Sequence, residues 1–208
     1  MAARKLKDYT DISLKPDCLE GKISFDDIFL QPGPVHIEIG SGKGTFLVNQ
    51  ALQQPEINFL GIEWASKYYR YAVDRIGRGS LSNVRLIRTD AAEFIAEHTP
   101  DEAISGFHIY FPDPWPKKRH HKRRFVCEKN ITEMLRCLVP DGIINIATDH
   151  AGYFEQIEQV IDSVSGQLKK IDFIKPAGAE ADEWSGTNFE RKYLKQGRDI
   201  YVIAAKKI

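Results

Sequence analysis

Short apolar runs alternate with amphipathic stretches along most of this chain, and no other feature constrains its fold as much. Strands are expected at Val35–Ile39, Asn58–Ile62, Val84–Ile87, 106–111 and 143–147, with helices at 45–53, 66–76, 91–97, 125–138 and 151–164. A helix between two strands returns the chain to the same end of the sheet, so such alternation implies parallel strands covered by helices on both faces. The end breaks the pattern. Segments 168–174 and 200–205 are both strand-like, the stretch between them reads as a long loop, and an antiparallel hairpin is expected to close the sheet. Residues 1–31 mix charges with isolated apolar side chains and run into Gln31-Pro32-Gly33-Pro34, which punctuates regular structure. We therefore read an extension over 1–31 and one α/β domain over 32–208.

The first strand runs into Glu38-Ile39-Gly40-Ser41-Gly42-Lys43-Gly44, where glycines let the backbone turn sharply and approach a ligand with no Cβ in the way. A dinucleotide turn of the form G-x-G-x-x-G would need glycine at 45, and Thr45 stands there. That departure favours S-adenosylmethionine, which has no pyrophosphate to seat at the helix N-terminus. Open α/β sheets bind ligands at the carboxyl edge of their strands, and three successive strands end in acids there. Glu63 is placed to accept both hydroxyls of an adenosine ribose, Asp90, before Ala91, to accept the adenine amine, and Glu38 to lie near the cationic methionine end. With Gly40, Gly42 and Ala91 these residues form the candidate cofactor site. A mere tight turn and ordinary helix N-caps are the plainer readings, and Asp90 before Ala91-Ala92-Glu93 fits a cap well.

The fourth strand leads into Phe111-Pro112-Asp113-Pro114-Trp115-Pro116, where three prolines stiffen the loop and fix the presentation of Asp113 and Trp115. Lys-Lys-Arg-His-His-Lys-Arg-Arg follows at 117–124. This octet holds six of the 29 Lys and Arg and none of the 29 Asp and Glu, so a chain of zero formal charge carries a net −6 outside it. A solvated charge run is the plain reading; placement at the catalytic edge and purity of sign favour RNA phosphates, with binding that weakens steeply as salt rises. Adjacent His120 and His121 point in different directions and no nearby Cys or carboxylate completes a site, so no metal is expected. Cys18, Cys127 and Cys137 form no C-x-x-C pair and are odd in number, which fits a reducing cytosol rather than a disulfide framework or structural zinc. The N-terminus has no apolar signal segment and no stretch could span a bilayer, so we expect a soluble, cytoplasmic protein.

These motifs resemble the bacterial tRNA (guanine-N7)-methyltransferases, a family of the class I S-adenosylmethionine-dependent methyltransferases. The hallmark Pro-Asp-Pro-Trp-Pro-Lys-Lys-Arg-His-x-Lys-Arg-Arg is matched at 112–124, Thr-Asp-His at 148–150 and Thr-Asn-Phe-Glu at 187–190, and the likeness runs from about Val35 to the end. The resemblance implies a Rossmann-like, mostly parallel seven-stranded sheet with a C-terminal antiparallel strand and helices on both faces. It implies methyl transfer to guanine N7 in tRNA, at the variable-loop guanosine, position 46. By the same resemblance Glu38, Glu63, Asp90 and Asp113 contact the cofactor and Asp113 is catalytic. Lys117, Asp149, Thr187, Asn188, Phe189 and Glu190 bind substrate, and Arg119, His120, His121, Lys122, Arg123 and Arg124 meet the RNA. It fixes neither monomer nor homodimer.

The chemistry is open to direct argument. Guanine N7 offers an unprotonated lone pair, so attack on a sulfonium methyl needs in-line approach and electrostatic support rather than a general base. Asp113 is thus an orienter, and a carboxylate that accepts from guanine N1–H and N2 amine leaves N7 free. Asp113, Asp149 and Glu190 are candidates for that task. Trp115 either stacks on a base or anchors its loop, Trp184 either covers the pocket or lies at the surface, and Thr187 with Glu190 also reads as a helix cap and its acid. Spacing with Ile131, Met134, Leu135 and Leu138 makes Cys127 a core residue. Three other functions compete: a methyltransferase acting on another RNA position or a small molecule, a nicotinamide oxidoreductase, disfavoured by Thr45 and the lack of a Tyr-x-x-x-Lys pair, and a non-catalytic RNA-binding module.

Overall fold

Beta-branched and aromatic runs build one twisted sheet in the computed structural model, which describes residues 6–173 and 175–208. Its strands are β1 (Ser13–Leu14), β2 (Val35–Ile39), β3 (Asn58–Ile62), β4 (Val84–Ile87), β5 (Ile104–Tyr110), β6 (Leu138–Thr148), β7 (Leu168–Ile171) and β8 (Tyr201–Lys207), ordered β1-β4-β3-β2-β5-β6-β8-β7. Strands β1 to β6 pair in parallel, and β8 runs antiparallel between β6 and β7. The order reverses between β2 and β5, which opens a crevice at their carboxyl ends.

Side-chain alternation along the strands sorts the core into two layers. Ile37, Ile39, Leu60, Ile62, Phe107 and Ile109 face one cluster, closed by α1 (Phe25–Ile28), α4 (Ala91–Glu93) with its π-helical continuation Phe94–His98, α5 (Glu128–Cys137) and α6 (Ala151–Ser163). Phe59, Val84, Leu86 and Tyr110 face the other, closed by α2 (Thr45–Gln53) and α3 (Ser66–Arg78). β3 and β4 are buried along their whole length, as central parallel strands require.

Among the described residues the sheet has eight strands, one more than the expected seven, because Ser13 and Leu14 of the N-terminal extension add β1 to its edge. Leu86 N–H donates to Ile12 O, and Phe25 and Phe29 enter the core. A two-residue strand is too short to show alternation. The stretch expected as a long loop before β8 contains α7 (Asn188–Leu194), whose seven residues are likewise too few for an amphipathic period. Cys127 is half-buried and precedes α5 rather than lying within it, and Leu138 already begins β6. Residues 1–5, Ile174 in the expected strand 168–174, and the side chain of Cys18 lie outside the described residues. Among those residues no helix is long and apolar enough to cross a membrane.

Candidate active site

The glycine loop after β2 takes the shape its sequence requires. Gly40, Gly42 and Gly44 have φ of +74°, +55° and +69°, a region closed to most side chains, and Gly40 and Ser41 N–H both donate to Ile62 O at the end of β3. The loop borders a cavity of about 290 Å³ whose floor is Glu38 and Tyr110 and whose cover is α7 through Thr187, Asn188 and Phe189. Asn188 Nδ2 donates to Thr45 Oγ1 at 2.7 Å and ties the cover to α2.

Of the strand-end acids, Glu38 is 4% exposed and its Oε2 has no hydrogen-bond partner among the described residues, nor has the neighbouring Ser41 Oγ. Burial, reinforced by the nearby Glu63, pushes the Glu38 carboxyl well above the usual range. A buried carboxylate oxygen left without a donor at a cavity floor fits a cationic ligand group. Glu63 accepts from Gly42 N–H at 2.8 Å and Ala65 N–H at 2.7 Å, one bond per oxygen, which shapes the loop and leaves lone pairs over. Asp90 caps α4, its Oδ1 accepting from Ala92 and Glu93 N–H, while no bond to Oδ2 occurs among the described residues. Glu63, Asp90, Ala91 and Asp113 lie along the same sheet edge but do not line the cavity.

Asp113 is exposed on a strained loop: Phe111 and Trp115 both have positive φ, +54° and +44°. Trp115 is half-buried, with the Arg123 guanidinium 4.9 Å from its ring centroid and His120 packed edge-on. Lys118–Arg123 coil as a 3-10 turn whose Lys and Arg side chains, like that of Lys117, are exposed, while His120 and His121 are partly covered. Arg124 departs from its neighbours and corrects the expectation that it meets RNA. Only 4% exposed, it donates to Pro114 O at 2.8 Å, Gly152 O at 3.2 Å and Gln156 Oε1 at 2.8 Å, and lies over the Tyr153 ring. It clamps the proline loop to α6.

Glu190 is the second correction. With zero exposure, it accepts from Trp184 N–H, Ser185 N–H at 2.8 Å, Gly186 N–H at 2.8 Å and Ser185 Oγ at 2.9 Å, so its carboxylate folds the turn before α7 rather than facing substrate. Thr187 caps the helix, accepting from Glu190 N–H. Trp184 packs edge-on against Phe173, away from the cavity. Asp149 is paired with Arg198 at 2.5 Å, beneath Tyr193.

Two further groups escaped the sequence reading. Tyr193 stands against Phe111, Phe189 and Arg198, and burial together with Asp149 and Asp113 raises its phenol. Behind the cavity floor, Tyr110 Oη lies 3.0 Å from His108 Nδ1, and His108 Nε2 lies 3.0 Å from His36 Nδ1. Burial lowers His36 to about 4 and His108 well below its usual value, so both rings are neutral at pH 7. The signal was present in the alternation Val35-His36-Ile37-Glu38 and Phe107-His108-Ile109-Tyr110, which puts the polar residues of these two neighbouring segments on one face.

A family model described as "Putative methyltransferase" matches residues 32–203. The tRNA (guanine-N(7)-)-methyltransferase of Alkalilimnicola ehrlichii is 35% identical over 89% of this chain and 77% of its own, and that of Rhodopirellula baltica 34% identical over 92% and 73%. A SAM dependent methyltransferase from Aquifex aeolicus superposes with a TM-score of 0.57 at 11% identity, covering 88% of this chain and 87% of the other, which shows a shared fold.

Proposed function

The chain belongs to the tRNA (guanine-N(7)-)-methyltransferase family, and we propose that it transfers the methyl group of S-adenosylmethionine to N7 of the variable-loop guanosine, position 46, of cytoplasmic tRNA. The observation that carries this reading is the cavity at the β2–β5 switch, with the unpartnered Glu38 Oε2 at its floor and an exposed basic run on the adjoining loop. The cofactor supplies an electrophilic methyl on a sulfonium centre. Residues 32–208 are the catalytic unit, to which residues 1–31 add a sheet edge.

Glu38 holds the methionine ammonium, Gly40 and Gly42 let the backbone lie against the ligand, Glu63 receives the ribose hydroxyls on its remaining lone pairs, and Asp90 Oδ2 with Ala91 meets the adenine edge. Asp113 has no side-chain bond among the described residues and is free to accept from guanine N1–H and N2. Methylation places positive charge on the purine, which Asp113 offsets, with Asp149 acting through its pairing to Arg198. Lys117, Asn188, Phe189 and the Thr187 cap border the substrate, while Arg119, His120, His121, Lys122 and Arg123 follow its backbone.

Incubation of tRNA with labelled S-adenosylmethionine is expected to yield N7-methylguanosine by nucleoside mass spectrometry, and Asp113→Ala to abolish the product while leaving thermal unfolding unchanged. Label on a different atom, or full activity in the variant, overturns the assignment.

A further inference from the structure

Helix α3 leaves Lys67, Tyr68, Arg70, Tyr71, Arg75 and Arg78 exposed, and its single acid, Asp74, is 2% exposed and paired with Arg78. A helix face with four cations and no exposed acid runs against a chain that is net negative outside the octet. Lys43 of the glycine loop adds a fifth, its Nζ 5.5 Å from the Tyr71 ring centroid. Aromatic exposure concentrates here too. The large aromatic side chains left exposed among the described residues are Trp64, Tyr68, Tyr71 and Phe189; three lie in or just before α3, of which Tyr68 also borders the cavity, and the fourth is on the cavity cover.

Sheet order fixes how this face stands to the active site. β2 lies between β3, which feeds α3, and β5, which feeds the proline loop and octet. The glycine loop and cavity therefore separate two basic surfaces, one on either side. Arg75 Nη1 donates to Thr45 Oγ1 at 2.5 Å, the oxygen that also receives Asn188, so α3 is fixed to α2 and to the cover.

Resting on the tRNA reading above, we infer that the outer face of α3 is a second RNA-binding surface, which takes unpaired nucleotides adjoining the target guanine. Exposed tyrosines offer flat faces on which unstacked bases lie without regard to sequence, whereas bases inside a duplex are already stacked; Lys67 and Arg70 neutralise the accompanying phosphates. Two cationic flanks with the cavity between them hold the strand on both sides of the nucleotide that enters.

The test uses the full chain, a tRNA transcript and S-adenosylhomocysteine as cofactor probe. Tyr71→Ala is expected to weaken tRNA binding about tenfold, as loss of one base-stacking contact would, and Tyr71→Phe to stay within about twofold. Replacing Lys67 and Arg70 together by Ala should lower the slope of log K against log salt by about 1.4, the value for two phosphate contacts to a single strand. Affinity for S-adenosylhomocysteine should not change in any of them. Unchanged tRNA affinity and salt slope overturn the inference, and so does a loss that tracks S-adenosylhomocysteine affinity, because α3 would then act through the glycine loop. Failure of the unmutated protein to methylate any tRNA would overturn the proposed reaction instead.

Discussion

Arg124→Ala is expected to destabilise the protein by about 3 kcal/mol, whereas Arg123→Ala, one residue earlier, should cost no more than about 1 kcal/mol, its contact with the Trp115 ring, and weaken RNA binding. The difference follows from burial. Arg124 makes two bonds at 2.8 Å and one at 3.2 Å, to Pro114, Gln156 and Gly152, and is 4% exposed. Hydrogen bonds from a charged donor contribute about 1.5–3 kcal/mol each, and their sum is offset by the cost of taking the guanidinium out of water, a burial that also lowers its pKa. In a chain of this size about 3 kcal/mol corresponds to a fall of about 6–12 °C in Tm. Arg124→Lys keeps the charge, but an ammonium lacks the planar fork that reaches the proline loop and α6 together, so it should recover less than half of the loss. Thermal unfolding by circular dichroism reads stability, and fluorescence anisotropy of labelled tRNA over a salt series reads the phosphate contacts. An Arg124→Ala protein with unchanged Tm and a salt slope reduced by about 1 would refute the assignment of this residue to the loop clamp.

The raised Glu38 carboxyl makes ligand binding depend on pH. A cationic ligand favours its ionised form, so binding releases a proton below the raised pKa, and affinity for S-adenosylmethionine should climb with pH and level off above it. Ligand-free protein should conversely lose stability as pH rises from the ordinary glutamate range toward that raised value. Calorimetry in two buffers of different ionisation heat reads the proton, and equal release from Glu38→Gln would count against this account. Glu190→Gln places an amide donor among four donors; it should speed hydrogen exchange at Trp184, Ser185 and Gly186, and unchanged exchange alongside lost substrate affinity would restore Glu190 to the substrate. Tyr110→Phe removes the hydroxyl that His108 holds at the cavity floor, and S-adenosylhomocysteine affinity should fall several-fold with little change in the Kd for tRNA; the reverse pattern would contradict that placement.

Strand and helix positions were legible because each central strand is a short apolar run between turn residues, and periodicity is a local property. The glycine loop was legible for the same reason, since Gly40, Gly42 and Gly44 sit where the backbone itself demands them. What a side chain does with its charge is not local. Arg124 belongs to the octet by sequence, yet its acceptors lie 10 to 32 residues away. Glu190 looks like any first-turn acid, and its burial depends on how 184–186 fold over it. Short elements were missed where two or seven residues cannot display a period, and the His36–His108–Tyr110 chain exists only because β2 and β5 are neighbours.

The insertion of β8 between β6 and β7 also bears on how the molecule is assembled. A chain made from its N-terminus presents β2 to β6 in an order that can pair progressively, with β1 joining the edge once β4 is made, but β7 has no partner until β8 follows, some thirty residues later. Helix α7 lies between those two strands, so the cavity cover reaches its position only as the last strand zips into the gap. A nascent chain would therefore carry its glycine loop and basic run well before its pocket is roofed, and pairing of 201–207 would be the event that settles α7 over the glycine loop.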